Sequence, residues 1–175
     1  MWPFVGKAWR SWCETMFDIR QATAADIPAV TALEQTCFPP AEAASQEALA
    51  YRLSAFPERF FVAEEAGKIV AMVNGCRSYQ DTITDDLFLP GGHAPKGSNQ
   101  MIFGLATAPE YQGRGIATAL MTHLRQVCQA DGMKKIVLTC KAEKITFYEK
   151  LGYVNHGCSA STHGGAIWYD MVLPL

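Results

Sequence analysis

Two periods of hydrophobic spacing alternate along the chain and divide it into strands and helices. Residues 17–21 have the alternating pattern of a short strand. Thr23 is suited to cap the helix that follows, whose apolar residues recur at helical spacing as far as about Cys37. The prolines at positions 39 and 40 end this helix, because proline lacks an N–H group and restricts the residue before it.

The middle of the chain predicts a second helix and a hairpin. Ser45 is suited to cap a helix that reaches about residue 55. Strands over residues 60–65 and 69–79 are separated by the dipeptide Ala66-Gly67, a spacing typical of a hairpin. Residues 80–99 then form a long loop rich in Asp, Thr, Pro and Gly, and loops of this length are usually functional or mobile.

The second half of the chain alternates strands and helices. Its longest helix is expected to end before Gly132, because glycine readily adopts the left-handed conformation that closes a helix. The predicted elements are a strand over 101–107, a polar turn over 109–114 that opens the long helix, a buried strand over 135–140, a short helix over 143–151 and closing strands over 153–157 and 166–173. The whole order, β-α-α-β-β-β-α-β-α-β-β, predicts a mixed α/β architecture.

Composition and charge limit the classes of protein to which the chain can belong. The chain has 175 residues and a net charge of −2, which fits one domain and supplies no long basic run for nucleic acid. Its six cysteines form no C-x-x-C pair and no tight Cys/His cluster, so we expect buried thiols in a reducing compartment and no metal site. No stretch of about 18 apolar residues is present, which predicts a soluble, cytoplasmic protein without a membrane span.

Residues 1–16 stand apart from the pattern of the rest of the chain. They hold three of the four tryptophans, Trp2, Trp9 and Trp12. Val5, Trp9, Trp12 and Met16 recur at roughly helical spacing. We interpret them as an N-terminal extension that packs on the domain of residues 17–175, or as the product of a start assigned upstream of Met16. The alternative is an amphipathic helix that contacts a partner or a membrane surface.

The hexapeptide from Gln112 to Ala117, QGRGIA, carries the clearest chemical signal. It follows a strand and opens a helix, so unpaired N–H groups at the helix start and the helix dipole favour a phosphate. A plain glycine-rich turn is the alternative. A dinucleotide-binding fingerprint is incomplete because position 118 is threonine, and the lysine-containing loop of nucleotide triphosphatases is absent.

Two motifs resemble the GNAT superfamily of N-acetyltransferases. Residues 105–117, LATAPEYQGRGIA, resemble its acetyl-CoA motif Q/R-x-x-G-x-G/A, with Gln112, Gly115 and Ala117 in the fixed places. Residues 147–153, FYEKLGY, are similar to its second signature, F-Y-x-x-x-G-F/Y. The resemblance extends over about residues 17–173. Within the superfamily, the segments 38–45, 137–148, 161–164 and 168–171 resemble the arylalkylamine (serotonin-type) enzymes.

The resemblance implies a fold and a mode of binding. The fold would be a GNAT acyl-CoA N-acyltransferase domain, a mixed sheet splayed between its fourth and fifth strands to admit acetyl-CoA as co-substrate. The pantetheine arm would pair with the fourth strand at Leu105 and Thr107, and no metal is required. The pyrophosphate would meet backbone N–H groups of Gln112, Gly113, Arg114, Gly115, Ile116 and Ala117, with the Arg114 side chain either adding a charge or remaining solvated.

The resemblance also implies catalytic roles. Tyr148, in the second signature, would be the general acid that protonates the departing thiolate; otherwise it is a half-buried aromatic residue. The vertebrate arylalkylamine enzymes carry two histidines on the fourth strand, where this chain has Met101 and Phe103, which cannot titrate. The resemblance implies Glu42 as the base instead, because some members of the family, notably insect ones, carry a catalytic glutamate in this loop. It would act through water or by holding the ammonium group, with a solvated loop glutamate as the alternative.

We thus expect an acetyl-CoA-dependent N-acetyltransferase that acts by direct attack in a ternary complex. The acceptor would be a small primary amine of arylalkylamine or polyamine type, with an apolar wall from Phe38, Phe61 or Phe103. The alternatives are a peptide or protein-lysine acetyltransferase and a non-catalytic CoA-binding sensor. No nucleic-acid partner is expected, and an oligomer is compatible with the sequence.

Overall fold

A computed structural model describes residues 17–175, and the expectations for residues 1–16 lie outside this part of the chain. The strands are β1 Asp18–Gln21, β2 Phe60–Glu65, β3 Lys68–Ser78, β4 Asn99–Thr107, β5 Lys135–Cys140, β6 Val154–Cys158 and β7 Tyr169–Pro174. The helices are α1 Ile27–Cys37, α2 Gln46–Ala55, α3 Ile116–Ala130 and α4 Ile145–Lys150. The strands form one sheet in the order β1-β2-β3-β4-β5-β7-β6, in which only the β4–β5 pair is parallel. The mixed α/β class is confirmed.

Local signals place the helix ends where the sequence predicts them. The backbone N–H of Thr23 donates to the Asp26 carboxylate at 2.7 Å, at the turn that leads into α1. The Ser45 hydroxyl accepts from the backbone N–H of Ala48 at 3.2 Å and caps α2. Gly132 follows α3 with a φ of 66°, in the left-handed region. Short-range hydrogen bonding therefore sets these boundaries.

Three elements begin two or more residues away from the predicted position. β4 begins at Asn99, before the predicted residue 101, because its first residues pair with β3 and β5. The predicted helix over 143–151 begins as a 3-10 turn, and its α-helical part is α4. β7 begins at Tyr169, after the predicted residue 166, because two consecutive glycines with positive φ, Gly164 and Gly165, form a turn before it.

The two faces of the sheet bury alternate residues of each strand. On β2, Phe60 and Val62 pack with α1 and α2, whereas Phe61 and Ala63 pack on the side of α3. This separation follows from the two-residue period of a strand. α4 joins the α3 side, where Tyr148 packs against the same core.

The sheet opens between β4 and β5. Asn99 to Met101 pair with Lys135 to Val137, and the two strands pair no further. Immediately after this pairing, Phe103 is an extra residue on β4, because Asn74 pairs with Gly104 whereas Gly75 pairs with Ile102. Such a bulge bends a strand and increases its twist, so β4 turns away from β5 and leaves one of its edges unpaired.

The bulge depends on the absence of a side chain at position 75. A β-carbon on Gly75 would lie 1.8 Å from the backbone oxygen of Met101, a contact that only a backbone shift relieves. We therefore expect Gly75→Ala to lower the free energy of unfolding by about 1–3 kcal/mol or more. Urea denaturation measures this change.

Gly104→Ala is the matched control on the same strand pair. Its β-carbon would come no closer than 3.3 Å to any atom of residues 17–175 outside its immediate neighbours, and that atom belongs to the Asn74 side chain. The expected loss is under about 1 kcal/mol. Equal losses in the two variants would contradict the role given to Gly75.

Candidate functional site

A cavity of about 700 Å³ lies where β4 and β5 separate. Its walls come from the free edge of β4, the end of β5, the start of α3, α4 and the segments that follow α1 and β6. Of the ten residues that the sequence assigns to the site, nine line this cavity: Glu42, Leu105, Thr107, Gln112, Gly113, Gly115, Ile116, Ala117 and Tyr148. Residues far apart in sequence therefore meet in one place.

The glycine-rich turn gives the cavity an anion-binding end. Gly113 and Gly115 have φ angles of 75° and 80°, and no atom within residues 17–175, their chain neighbours aside, lies within 4 Å of where their β-carbons would be. α3 begins directly afterwards at Ile116, so its first N–H groups face this open space. The Gln112 side chain donates to the Thr107 carbonyl at 3.2 Å and ties the turn to the end of β4. The space, the donors and the helix dipole fit a phosphate.

Arg114 is the predicted site residue that lies elsewhere. Its guanidinium forms an ion pair with Glu65 at 2.6 Å and lies 5.1 Å from the centre of the Tyr111 ring. The side chain therefore points away from the cavity, although its backbone belongs to the turn. The Arg114 guanidinium, which the sequence suggested as a positive charge near the phosphate, is instead paired with Glu65 of β2.

The free edge of β4 lines the middle of the cavity. Leu105 and Thr107 pair with Val73 and Ala71 of β3 on one side, and beyond Met101 no strand pairs with the other side. The Thr107 hydroxyl is buried without a hydrogen-bond partner in the described part of the chain. An unpaired strand edge of this kind binds an extended chain that carries amide groups, and the pantetheine arm fits that description.

Tyr148 occupies the α4 wall of the cavity. It packs edge-on against Tyr153, with ring centres 5.7 Å apart. Burial raises the pKa of the Tyr148 phenol above its ordinary value, and the neighbouring Cys140 raises this pKa further. The phenol therefore keeps its proton through the neutral and mildly alkaline range, as a proton donor must.

Glu42 lies at the other end of the cavity, in the segment between α1 and α2. Its carboxylate forms an ion pair with Lys141 at 2.6 Å and is only 7% exposed. The Glu42 carbonyl lies 3.0 Å from Nε2 of His163, in the segment between β6 and β7. The carboxylate is thus buried and paired with a lysine, and it is not a solvated loop residue.

Aromatic side chains surround this end of the cavity. Phe38 and Phe103 line it as predicted, together with Phe88, from the long loop, and Trp168. Phe61 does not, and its prediction is wrong: it packs into the α3 side of the core, edge-on to His123 at 4.7 Å. Adjacent residues of a strand face opposite sides, but the sequence does not say which side meets the cavity.

A buried polar group, not predicted from the sequence, lies beside these aromatic residues. Glu34 on α1 and Arg52 on α2 line the cavity, and both are buried. The sequence does indicate that Glu34 is buried, because it lies seven residues after Ile27 and four after Val30, on the buried stripe of α1. A charged residue in such a stripe is rare unless it has a partner or a function.

Residues 17–175 contain no group of three or more His, Cys, Asp or Glu side chains arranged to hold a metal ion. Among the same residues, no helix is both long and apolar enough to cross a bilayer.

The chain matches known proteins over most of its described length. The profile of the acetyltransferase (GNAT) family matches residues 27–153. A protein named acetyltransferase in Sodalis glossinidius is 32% identical over 105 residues, which are 58% of this chain and 61% of that relative. The chain thus spans less than two thirds of that relative's length.

Solved structures match the fold at low sequence identity. A GNAT-like decarboxylase in complex with isobutyryl-CoA has a TM-score of 0.80 at 19% identity, covering 90% of this chain and 98% of its own. A ribosomal-protein-alanine N-acetyltransferase from Brucella melitensis has a TM-score of 0.67 at 20% identity, covering 90% of this chain and 99% of its own. These neighbours support the same splayed architecture.

The glycine turn yields a test of binding. We expect Gly115→Glu to lower the affinity for acetyl-CoA by about 100-fold or more, because a like charge beside a phosphate costs several kcal/mol. Isothermal titration calorimetry measures the affinity. Gly115→Ala is the matched control, since it adds the same left-handed strain of about 1–2 kcal/mol without the charge. If both variants bind acetyl-CoA as the parent does, the turn is not the pyrophosphate site.

Proposed function

The chain belongs to the GNAT family of acetyltransferases, and on that basis we propose that it transfers the acetyl group of acetyl-CoA to a small primary amine of arylalkylamine or polyamine type. One observation carries the proposal: a single cavity joins the phosphate-binding turn to an aromatic pocket that contains two carboxylates, Glu34 and Glu42. The first end suits CoA and the second end suits a cation with an apolar stem.

The acyl donor would lie along β4. The backbone N–H groups at the start of α3 would hold the pyrophosphate, and the free edge at Leu105 and Thr107 would pair with the pantetheine arm. A backbone N–H on the same edge would polarise the thioester carbonyl as negative charge develops on its oxygen. The acetyl carbon would then face the aromatic end of the cavity.

Contacts among three loops support a small acceptor. The Ser161 hydroxyl donates to Asp85 at 2.6 Å and joins the segment after β6 to the long loop between β3 and β4. Phe88 of that loop stacks on His163 with ring centres 5.1 Å apart, and His163 contacts the Glu42 carbonyl of the α1–α2 segment. The loops therefore meet over the acceptor end, where a peptide substrate would need an open groove.

The reaction would proceed by direct attack in a ternary complex. An alkylammonium group, with a pKa near 10, must lose a proton before its nitrogen attacks the thioester carbon. The tetrahedral intermediate then collapses, the C–S bond breaks, and Tyr148 donates its proton to the sulfur. The raised pKa of Tyr148 keeps this proton available over the working pH range.

Glu42 has the geometry of a residue that attracts the acceptor. Its carboxylate already contacts one ammonium group, that of Lys141, at 2.6 Å. Of the two roles that the sequence leaves open for Glu42, the contact therefore favours holding an ammonium group over accepting a proton. Lys141 also lies 5.7 Å from the centre of the Trp168 ring, which anchors this pair at the wall of the pocket.

A panel of amines with acetyl-CoA, read by the release of free thiol, tests the proposal. Turnover with arylalkylamines or polyamines is expected. Turnover restricted to peptides or protein lysines would contradict the proposed small-amine acceptor and indicate a peptide or protein-lysine acetyltransferase. Acetyl-CoA binding without any turnover would favour a CoA-binding sensor.

Tyr148→Phe tests the general acid. We expect turnover of the best amine to fall by about 100- to 10,000-fold, because the ring still packs but the proton donor is gone. Acetyl-CoA affinity should remain unchanged by calorimetry. Since burial raises the pKa of Tyr148, the loss should be uniform up to about pH 10.

Tyr153→Phe is the matched control. Its hydroxyl is buried without a partner in the described residues, and its ring is the edge-on neighbour of Tyr148. Turnover should survive this change. Parental turnover in Tyr148→Phe, with chemistry shown to be rate-limiting, would remove Tyr148 from the mechanism.

A further inference from the structure

Three buried polar side chains meet beneath Gly104, at the acceptor end of the cavity. Glu34 comes from α1, Arg52 from α2 and Asn74 from β3, and they are 4%, 7% and 0% exposed. Gly104, Glu34 and Arg52 all line the cavity. The cluster is thus buried from bulk solvent and still borders the site.

The hydrogen bonds of the cluster leave one donor and one acceptor unused. Arg52 donates to Oδ1 of Asn74 at 3.0 Å, and Oε1 of Glu34 accepts from the backbone N–H of Ala44 at 3.0 Å. Within residues 17–175, Nδ2 of Asn74 and Oε2 of Glu34 have no partner. Buried polar groups are nearly always paired, so two unpaired groups in one cluster point to a ligand.

Both unpaired atoms face the same recess. A β-carbon on Gly104 would lie 3.3 Å from Nδ2 of Asn74 and 3.7 Å from Oε2 of Glu34. Glycine at this position therefore leaves room for a small group beside the carboxylate. The recess lies on β4, one residue before Leu105, where the acyl donor is proposed to bind.

Glu34 is held in a setting that does not favour its charge. Burial raises the pKa of Glu34, and this effect exceeds the opposing effects of the hydrogen bond from Ala44 and of the nearby Arg52 and His163. The other titratable neighbour, Cys37, is one turn further along α1 and has a raised pKa of its own. Within the described residues, the Glu34 carboxylate forms no ion pair within 4 Å, with Arg52 or with any other cation. Folding therefore favours the protonated carboxyl, and the ionised form lowers stability as the pH rises through this raised pKa.

We propose that this recess is the acceptor-nitrogen subsite and that Glu34 binds the ammonium group of the amine and takes its proton. Asn74, fixed by Arg52, is a positioning residue that shapes the polar wall of the recess. The inference rests on the proposed function, because it names the base that the transfer requires. It assigns proton acceptance to Glu34 and leaves the ion-paired Glu42 to attract the amine.

The protons and bonds balance. One of the three ammonium protons moves to Oε2 of Glu34, and the freed lone pair forms the bond to the thioester carbon. The C–S bond breaks, and the sulfur takes the proton of Tyr148. A second nitrogen proton replaces the one that Tyr148 gives, the third stays on the amide, and Glu34 returns its proton to solvent.

Glu34→Gln is the sharpest test. The amide oxygen keeps the bond from Ala44, so the variant should fold, and it should melt no lower than the parent at neutral pH because the buried charge is gone. We expect kcat/KM for the best amine to fall by about 100- to 10,000-fold with acetyl-CoA affinity unchanged. The acidic limb that Glu34 imposes on the rate should disappear, leaving a rate that rises with the fraction of neutral amine.

Glu47→Gln is the matched control, since Glu47 is an exposed glutamate on α2, outside the cavity. Turnover and the pH profile should not change. An active parent with an equally active Glu34→Gln variant and an unchanged profile would overturn the assignment of Glu34 and leave the proposed function standing. A parent that binds acetyl-CoA but acetylates no amine would overturn both.

Ligand binding gives a readout that does not need turnover. With CoA bound, 2-phenylethylamine should bind the parent more tightly than 2-phenylethanol, which has the same shape without the charge. Glu34→Gln should lose this preference. Gly104→Ala, which fills the recess, should raise KM for the amine by about tenfold or more. An amine preference that survives in Glu34→Gln would place the cation elsewhere.

Discussion

The separation of β4 from β5 is the constraint on which the rest of the site depends. In a continuous sheet both edges of β4 would be paired, and neither a cavity nor a free row of amide groups would exist. The pairing ends after Met101, and the extra residue Phe103 bends the strand away. Gly75 makes this bulge possible, because a side chain there would collide with the Met101 carbonyl. The interruption of the sheet between β4 and β5 thus creates the surface that lines the cavity.

The two ends of the cavity use different physics. At the turn, backbone conformation does the work: glycines with positive φ and the start of α3 present N–H groups, while Arg114 is engaged with Glu65. At the acceptor end, side chains form the site, and they come from segments that are far apart along the chain. The phosphate end is therefore formed by consecutive residues, whereas the acceptor end forms only when folding brings distant residues together.

This difference explains what the sequence predicted and what it did not. Caps and turns at Thr23, Ser45 and Gly132 depend on neighbours within a few residues, so the element order and class followed from pattern alone. The aromatic wall was predicted only in part: Phe61 lies in the core on the α3 side, and Phe88 was not expected at the cavity. The face that a strand residue occupies and the path of a long loop both depend on tertiary packing. Glu34 could have been recognised from the sequence, because it is a carboxylate on the mainly apolar buried stripe of α1.

The two carboxylates of the acceptor end show how environment separates roles. Glu42 forms an ion pair with Lys141, and this contact with an ammonium group suits a residue that attracts a cation. Burial opposes the charge of Glu34, and the hydrogen bond from Ala44 and the charges of Arg52 and His163 only partly offset this effect, which suits a residue that changes protonation state. A buried carboxylate with an unpaired oxygen lowers stability, and an apolar residue would serve the α1 stripe better. A stability cost of this kind, at the wall of a cavity, is expected where chemistry requires the group.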